Sequence, residues 1–291
     1  MNAMKTRFGE VLTKAQTTKK VGHFYDLASP YYLRVWGEHI HDGYYATGKE
    51  SAEDAQIALV RTLASEARIS PNDSVLDVGC GVGGSSIWLA RNHGARTLGI
   101  TISPAQARIA SDLANRETAD CTFLLMDAEA LSLKPSTAAF DVIWAVAVMT
   151  HLKDQRRFVE NAFGLLKRGG RFVIFDWMLG PNSTGKEGEP IIEEVSDGML
   201  LSTLHRLSSY EEWFRKLGAS VTYARDTTDN TIETWDAARG IMTNPRVWML
   251  ALGSTAEERE VLSPFFRSIG PMKEAMQEGK LISGAIVAQK P

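Results

Sequence analysis

Cysteine is almost absent from this chain. Its 291 residues hold two, Cys80 and Cys121, too few for a disulfide framework and spaced like no zinc motif, so no metal is expected. Proline is sparse at 10 residues, and with no internal repeat this excludes collagen-like and low-complexity architectures. Neither sign of charge dominates: 32 Lys and Arg face 35 Asp and Glu, a formal −3, without a long run of either. Nucleic acid and an anionic membrane surface are thereby disfavoured as main partners. The longest uninterrupted apolar run, residues 142–149, falls far short of the ~20 residues a bilayer span needs. Met1 to Glu10 carry no apolar stretch of the kind a secretory signal requires. The expectation is a soluble cytoplasmic protein without a membrane span.

What is present is ordinary globular composition, 44% hydrophobic and 23% charged, in a length that fits two domains or one α/β domain with insertions. Short apolar runs alternate with helical spacing. Strands are expected at Ser74–Val78, Arg96–Ile100, Thr122–Met126, Phe140–Val146 and Arg171–Asp176. Between them fall helices at Ser85–His93, at Pro104 to about Arg116 with Ser103 as N-cap, and at Arg156–Leu166. The last of these is read as ending at Lys167-Arg168-Gly169-Gly170, basic residues followed by glycine. Ser209-Tyr210-Glu211-Glu212 fits a capping box opening a helix at Glu211–Leu217. Ser220–Ala224 and Leu281–Gln289 add two strands, for seven in all. Regular alternation predicts an α/β fold with a doubly wound sheet, whose ligands bind at the carboxyl ends of the strands near the point where strand order reverses.

The chemistry concentrates at Asp77-Val78-Gly79-Cys80-Gly81-Val82-Gly83-Gly84, which follows a strand and opens a helix. Gly79, Gly81 and Gly84 satisfy G-x-G-x-x-G, so a nucleotide-type ligand is expected. A dinucleotide site, however, wants an acid at the end of the second strand. Gly99-Ile100-Thr101-Ile102-Ser103 offers a hydroxyl instead, with the Gln106 amide one turn on. The acid sits beside the glycines as Asp77, where it favours a cationic ligand over a pyrophosphate. S-adenosylmethionine, with ammonium and sulfonium charges, fits better than NAD.

Val75 to Ser86 resembles the first motif of the class I S-adenosylmethionine-dependent methyltransferases. Gly99-Ile100-Thr101-Ile102-Ser103-Pro104-Ala105-Gln106 and Trp36-Gly37-Glu38-His39-Ile40-His41-Asp42-Gly43-Tyr44-Tyr45 are similar to segments of the γ-tocopherol and natural-product methyltransferase subgroup. The likeness covers most of the chain from about Val21. It implies a Rossmann-like, doubly wound seven-stranded sheet with an N-terminal helical lid (residues 1–70), a cofactor-binding core (71–179), an insertion over the acceptor after strand 5 (180–208) and a C-terminal part (209–291). It also implies that Asp77, Gly79 and Gly81 line the methionine end of the cofactor, Thr101, Ile102 and Gln106 its ribose and adenine side, and Asp127 with Ala128 its adenine. Tyr25 is implied to close over it from the N-terminal helix. Two plainer roles compete: Asp127 as a helix N-cap and Tyr25 as lid packing.

The resemblance also points to His151 as general base toward an acceptor, with Asp176 at the same sheet edge to orient or charge-stabilise the imidazole. Ala147 stands where related enzymes frequently carry glutamate. The acceptor is expected to be small and largely apolar, roofed by Met199, Leu200, Leu201 and Leu204 beside Trp177 and Met178, with Trp235, Trp248 and Met249 as another wall and His39 and His41 nearby. O-methylation is the first expectation, with S-adenosylhomocysteine as product. C-methylation and a non-methylating cyclase of the same fold are the alternatives, and a homo-oligomer is compatible with the sequence.

Overall fold

A computed structural model describes residues 14–131, 140–185 and 188–291; the segment Met1–Glu10 lies outside the described residues. Seven strands form one sheet: β1 (Ser74–Val78), β2 (Arg96–Thr101), β3 (Cys121–Leu125), β4 (Phe140–Val146), β5 (Leu166–Leu179), β6 (Ser220–Asp226) and β7 (Leu281–Gln289). Their order is β3-β2-β1-β4-β5-β7-β6, with β1 to β5 parallel and β7 antiparallel to both β5 and β6. The order reverses between β1 and β4, which opens a crevice at the carboxyl ends of those two strands.

Alternation along the central strands divides the core. Leu76, Ile143, Phe172 and Ile174 pack on one face, while Val75, Val142, Trp144, Val173 and Phe175 pack on the other. The first face is covered by α5 (Gln155–Gly164) and α7 (Leu207–Lys216), the second by α2 (Ala52–Glu66) and α3 (Gly84–His93). Burying a Leu, Val or Phe side chain contributes roughly 1.5–3 kcal/mol, so these layers fix the sheet and set the strand ends rigidly.

A separate helical layer lies beyond the sheet. It contains α1 (Lys14–Val35), α6 (Pro190–Gly198), α9 (Thr234–Met242), α10 (Pro245–Gly253) and α11 (Ala256–Gln277), with the single turn α8 (Thr228–Thr231) leading in and α4 (Pro104–Glu117) completing the core. Its own apolar centre joins Val195, Met199, Leu201, Trp235, Met272 and Met276, and Phe24, Ala28 and Leu262 tie α1 to α11.

Two local expectations are corrected. Helix α7 begins at Leu207, and its N-cap Arg206 makes no side-chain cap bond; a capping box stands instead at Thr255 and Glu258, opening α11. Helix α5 ends at Gly164, before the Lys167-Arg168-Gly169-Gly170 segment read as its terminus. Those residues open β5, because Gly169 N–H donates to the Lys290 carbonyl at 2.9 Å and Lys290 N–H to that of Gly170 at 2.8 Å.

Candidate active site

The loop after β1 turns through Gly79 and Gly81, both left-handed at φ +70° and +55°. A Cβ on Gly79 would stand 2.5 Å from Val148 Cγ2, so only glycine lets the loop lie against the segment after β4. A Cβ on Gly81 would occupy space bounded by Ile40 Cδ1 at 3.9 Å and Gln106 Nε2 at 4.0 Å, both at ordinary contact distance. That space belongs to a cleft lined by Tyr25, Gly79, Gly81, Thr101, Ile102, Gln106, Asp127 and Ala128. All the residues expected to hold a cofactor are thus gathered around one hollow, except Asp77.

Asp77 is 3% exposed, and its carboxylate accepts from Ser86 Oγ at 2.7 Å. It holds the loop to the first turn of α3 rather than lining the cleft. Burial raises its pKa to about 7 against the hydrogen bonds from Ser86. Thr101 and Gln106 hydrogen-bond to each other at 2.7 Å. Asp127 caps the short 3₁₀ turn Ala128–Ala130 by accepting from Glu129 N–H at 2.9 Å while still facing the cleft. The plainer role and the cleft position coincide in that residue.

Helix α1 is fastened over this cleft by a residue the sequence did not single out. Asp26 Oδ1 accepts from Ser103 Oγ at 2.5 Å and from Ala105 N–H at 3.0 Å, placing a carboxylate at the positive N-terminus of α4. These bonds fix Tyr25, one residue earlier, beside the carboxyl-end edge of the sheet.

There the Tyr25 hydroxyl lies 3.0 Å from His151 Nε2, with the rings edge-to-face at 5.6 Å. His151 Nδ1 lies 3.2 Å from the Leu200 carbonyl. A carbonyl can only accept, which assigns the proton to Nδ1 and leaves Nε2 a lone pair that takes the Tyr25 O–H. Burial lowers the pKa of His151 and raises that of Tyr25, to which the nearby Asp176 charge adds. Both groups are therefore neutral at neutral pH. Ala147 has φ +55° and Leu200 the same, two non-glycine residues in left-handed conformation flanking the histidine; each such position costs of order 1–3 kcal/mol and persists only where packing imposes it.

Asp176 does not orient the imidazole. It is 2% exposed, and its carboxylate accepts from Thr150 Oγ1 at 3.0 Å and Trp177 N–H at 2.8 Å, with a longer contact to Thr150 N–H at 3.3 Å. Those bonds hold it to the residue before His151, with its pKa raised to about 6 by burial.

On the other side of His151 opens a second hollow, walled by aromatic and aliphatic side chains of α1, α9 and α11, among them Phe24, Tyr32, Val35, Trp235, Ala238 and Phe265. Its polar residues include His41, Asp42, Thr150, Asp176 and Trp177. Tyr25, Ile40, Ala147 and His151 line both hollows, so the two are contiguous at the tyrosine–histidine pair.

The expected roof is corrected. Met199 and Leu201 are buried with α11 in the helical layer, Met178 is buried in the sheet core, and Met249 is 65% exposed. The side chain of Trp248 falls outside the described side chains. Of the tryptophans named, Trp177 and Trp235 line the second hollow, and of the two histidines only His41 does so. His39 packs at the start of α3, where a Cβ on Gly84 would meet its Nδ1 at 3.0 Å. The insertion acts through its backbone: besides the Leu200 carbonyl on His151, Ser202 N–H donates to the Thr150 carbonyl at 2.6 Å and Gln155 Nε2 to that of Thr203 at 2.6 Å.

Comparison with known proteins agrees with this architecture. The family model described as "Methyltransferase domain" matches residues 76–174. The 27-O-demethylrifamycin SV methyltransferase of Amycolatopsis mediterranei (strain S699) is 30% identical over 223 residues, covering 76% of this chain and 81% of that protein. The chloroplastic tocopherol O-methyltransferase of Arabidopsis thaliana is 27% identical, over 94% of this chain and 82% of its own. The mycolic acid cyclopropane synthase CmaA1, solved with S-adenosylhomocysteine and CTAB, superposes with a TM-score of 0.81 at 19% identity, over 94% and 98% of the two chains. The chain belongs to the class I S-adenosylmethionine-dependent methyltransferases. Within them it is a small-molecule methyltransferase with S-adenosylmethionine as its cofactor.

Proposed function

We propose that the enzyme methylates a hydroxyl of a small, largely apolar acceptor, with His151 as general base. The observation that carries this reading is the Tyr25–His151 pair at the junction of a glycine-lined cleft and an aromatic chamber. The cleft fits the cofactor: a Cβ at Gly81 would fill its cradle, and Thr101, Gln106 and Asp127 supply hydroxyl, amide and carboxylate groups along it. Gly79 and Gly81 would hold the methionine end, Thr101, Ile102 and Gln106 the ribose side, and Asp127 and Ala128 the adenine, with Asp77 acting from behind the loop. S-adenosylmethionine supplies an electrophilic methyl group at the junction.

The chain's own part is binding, alignment and proton removal. Nε2 of His151 is unprotonated and already accepts one hydroxyl, that of Tyr25. An acceptor hydroxyl from the chamber replaces Tyr25 there and gives up its proton to Nε2. Nδ1 keeps its proton on the Leu200 carbonyl, so the resulting imidazolium is hydrogen-bonded on that side. Asp176, held to Thr150, adds negative charge nearby without touching the ring. Helix α1, fastened through Asp26, excludes water from both hollows.

In this reading residues 1–70 serve as a lid, 71–179 as the cofactor core and 180–208 as a backbone brace, with 209–291 completing the sheet and chamber. No helix among the described residues is long and apolar enough to cross a membrane, which accords with a proposed cytoplasmic location. Incubation with S-adenosylmethionine and a panel of phenols, prenylated aromatics and polyketides tests the proposal by product mass. One methyl gained on oxygen supports it; a methyl on carbon shifts the reading to C-methylation, and conversion without mass change to a cyclase.

A further inference from the structure

The chamber is apolar except at its sheet edge, where two carboxyl groups are buried without a cation. Asp42 is 3% exposed and Asp176 2% exposed. Asp42 Oδ2 accepts from Trp177 Nε1 at 3.0 Å and Ser283 Oγ at 3.1 Å, while Oδ1 takes no hydrogen bond from a described residue. No described Lys or Arg contributes to the environment of either group. Burial lifts Asp42 to about 7 and Asp176 to about 6, and the negative charge of Asp176 adds to the shift of Asp42.

Two further polar groups of the same chamber have no partner. Trp235 is 3% exposed and its Nε1 is buried without an acceptor. His41 Nδ1 donates to the Asp42 carbonyl at 2.8 Å, which leaves Nε2 an acceptor, and that atom too is buried and unbonded. Orphaned buried groups cost free energy unless something bonds them. Here they point to a ligand: His41 Nε2 needs a donor, Trp235 needs an acceptor, and the two hydrogen-bonded carboxyl groups beside them lack a counter-charge. Trp177 and Trp235 stand 5.6 Å apart and offer ring faces of the kind that attract cations.

We infer that the acceptor is an amine: an apolar molecule whose protonated nitrogen is anchored between Asp42, Asp176 and His41 Nε2, with an oxygen function taking the Trp235 N–H. The anchor is distinct from the methylated atom, because Asp42 and Asp176 line the chamber and not the cofactor cleft, whereas His151 lines both. An ammonium supplies several N–H donors and the positive charge that two adjacent buried carboxylates lack, which a neutral alcohol does not. The inference rests on the chamber being the acceptor site.

The test uses two probes of equal size, 4-phenylbutylamine and 4-phenylbutanol, titrated calorimetrically into the protein saturated with S-adenosylhomocysteine. The amine is expected to bind at least about tenfold more tightly than the alcohol. That preference should disappear in Asp42→Asn and shrink in Asp176→Asn, with S-adenosylhomocysteine affinity reporting that each variant is folded. Equal affinity of the two probes for the unaltered protein overturns the inference and leaves the chamber as an acceptor site. Binding of neither overturns the chamber reading and the inference with it.

Discussion

The proposed cofactor cleft and acceptor chamber meet around Tyr25 and His151 but are built by different means. The cleft takes its lining mainly from loops at the ends of β1, β2, β3 and β4, all within residues 79–152, with α1 laid across it. The chamber is assembled from α1, the segment around Asp42, the end of β5, and α9 and α11, which begin at Thr234 and Ala256, far from α1 in sequence. One is the more polar and is pinned by backbone geometry; the other is lined by aromatic and aliphatic side chains, with its polar groups gathered on one edge. A rigid donor side with a chamber of helical side chains lets one cofactor chemistry be paired with different acceptors.

The comparison breaks most sharply at its junction. His151→Ala should lower kcat by about 10²–10⁴-fold while S-adenosylhomocysteine affinity stays within about threefold, since one hydrogen-bonded contact at the seam is all it removes from the cleft. The base must be neutral and burial holds its pKa below the usual 6.5, so the limb of kcat it governs falls away only below that pH and is absent from the variant. A full-rate alanine variant sinks the base assignment.

Gly79→Val addresses the donor side alone. With φ +70° and Val148 at 2.5 Å from even a bare Cβ, the loop must shift. Calorimetry is expected to record about 100-fold weaker S-adenosylhomocysteine binding, a loss of the size that strained backbone and displaced packing produce. Unchanged affinity would mean the loop geometry does not form the cleft.

Ala238→Trp addresses the chamber alone. Filling it from α9 should raise the acceptor KM about tenfold and leave cofactor affinity untouched. If instead both constants move together, the two hollows are not independent. The smallest change is expected from Asp26→Ala, which removes the acceptor at the start of α4. A loss of about 1 kcal/mol would lower the melting temperature by roughly 2–4 °C, with a modest rise in cofactor KM as α1 loosens; a melting temperature equal to that of the unaltered protein would argue against the clasp.

The same contrast explains what the sequence made legible. Strand and helix periodicity located all seven strands, with β1, β4 and β7 matching residue for residue, because each is a continuous run with its own pattern. The cleft was legible for the same reason: the glycine loop, Thr101 with Gln106, and Asp127 are local signatures at strand ends. The chamber was not. Met199, Met178 and Met249 carry the composition of a flexible apolar roof, yet two are buried in other cores and one faces solvent, since composition does not tell which layer a side chain enters. Asp26 and Asp42 make their bonds across 77 and 135 residues, and no local pattern announces such a pairing. Asp176 lies at the expected edge of the sheet, but its hydrogen bonds run to Thr150 and the Trp177 N–H rather than to the imidazole, partners that no local pattern in the sequence announces.

The Leu200 carbonyl behind His151 has a consequence for how such an enzyme can diverge. A histidine steadied by a side chain ties its support to that residue's chemistry, and drift at that residue removes the support. Here the supporting atom belongs to the main chain, as does the Ser202 N–H that fastens the same segment to Thr150. Descendants of this chain can therefore exchange most side chains of the insertion, reshaping its outer surface, without losing the support of His151. The permanent restriction is on backbone: proline at 202 lacks the N–H, and at 200 the left-handed φ favours glycine or asparagine over any β-branched residue.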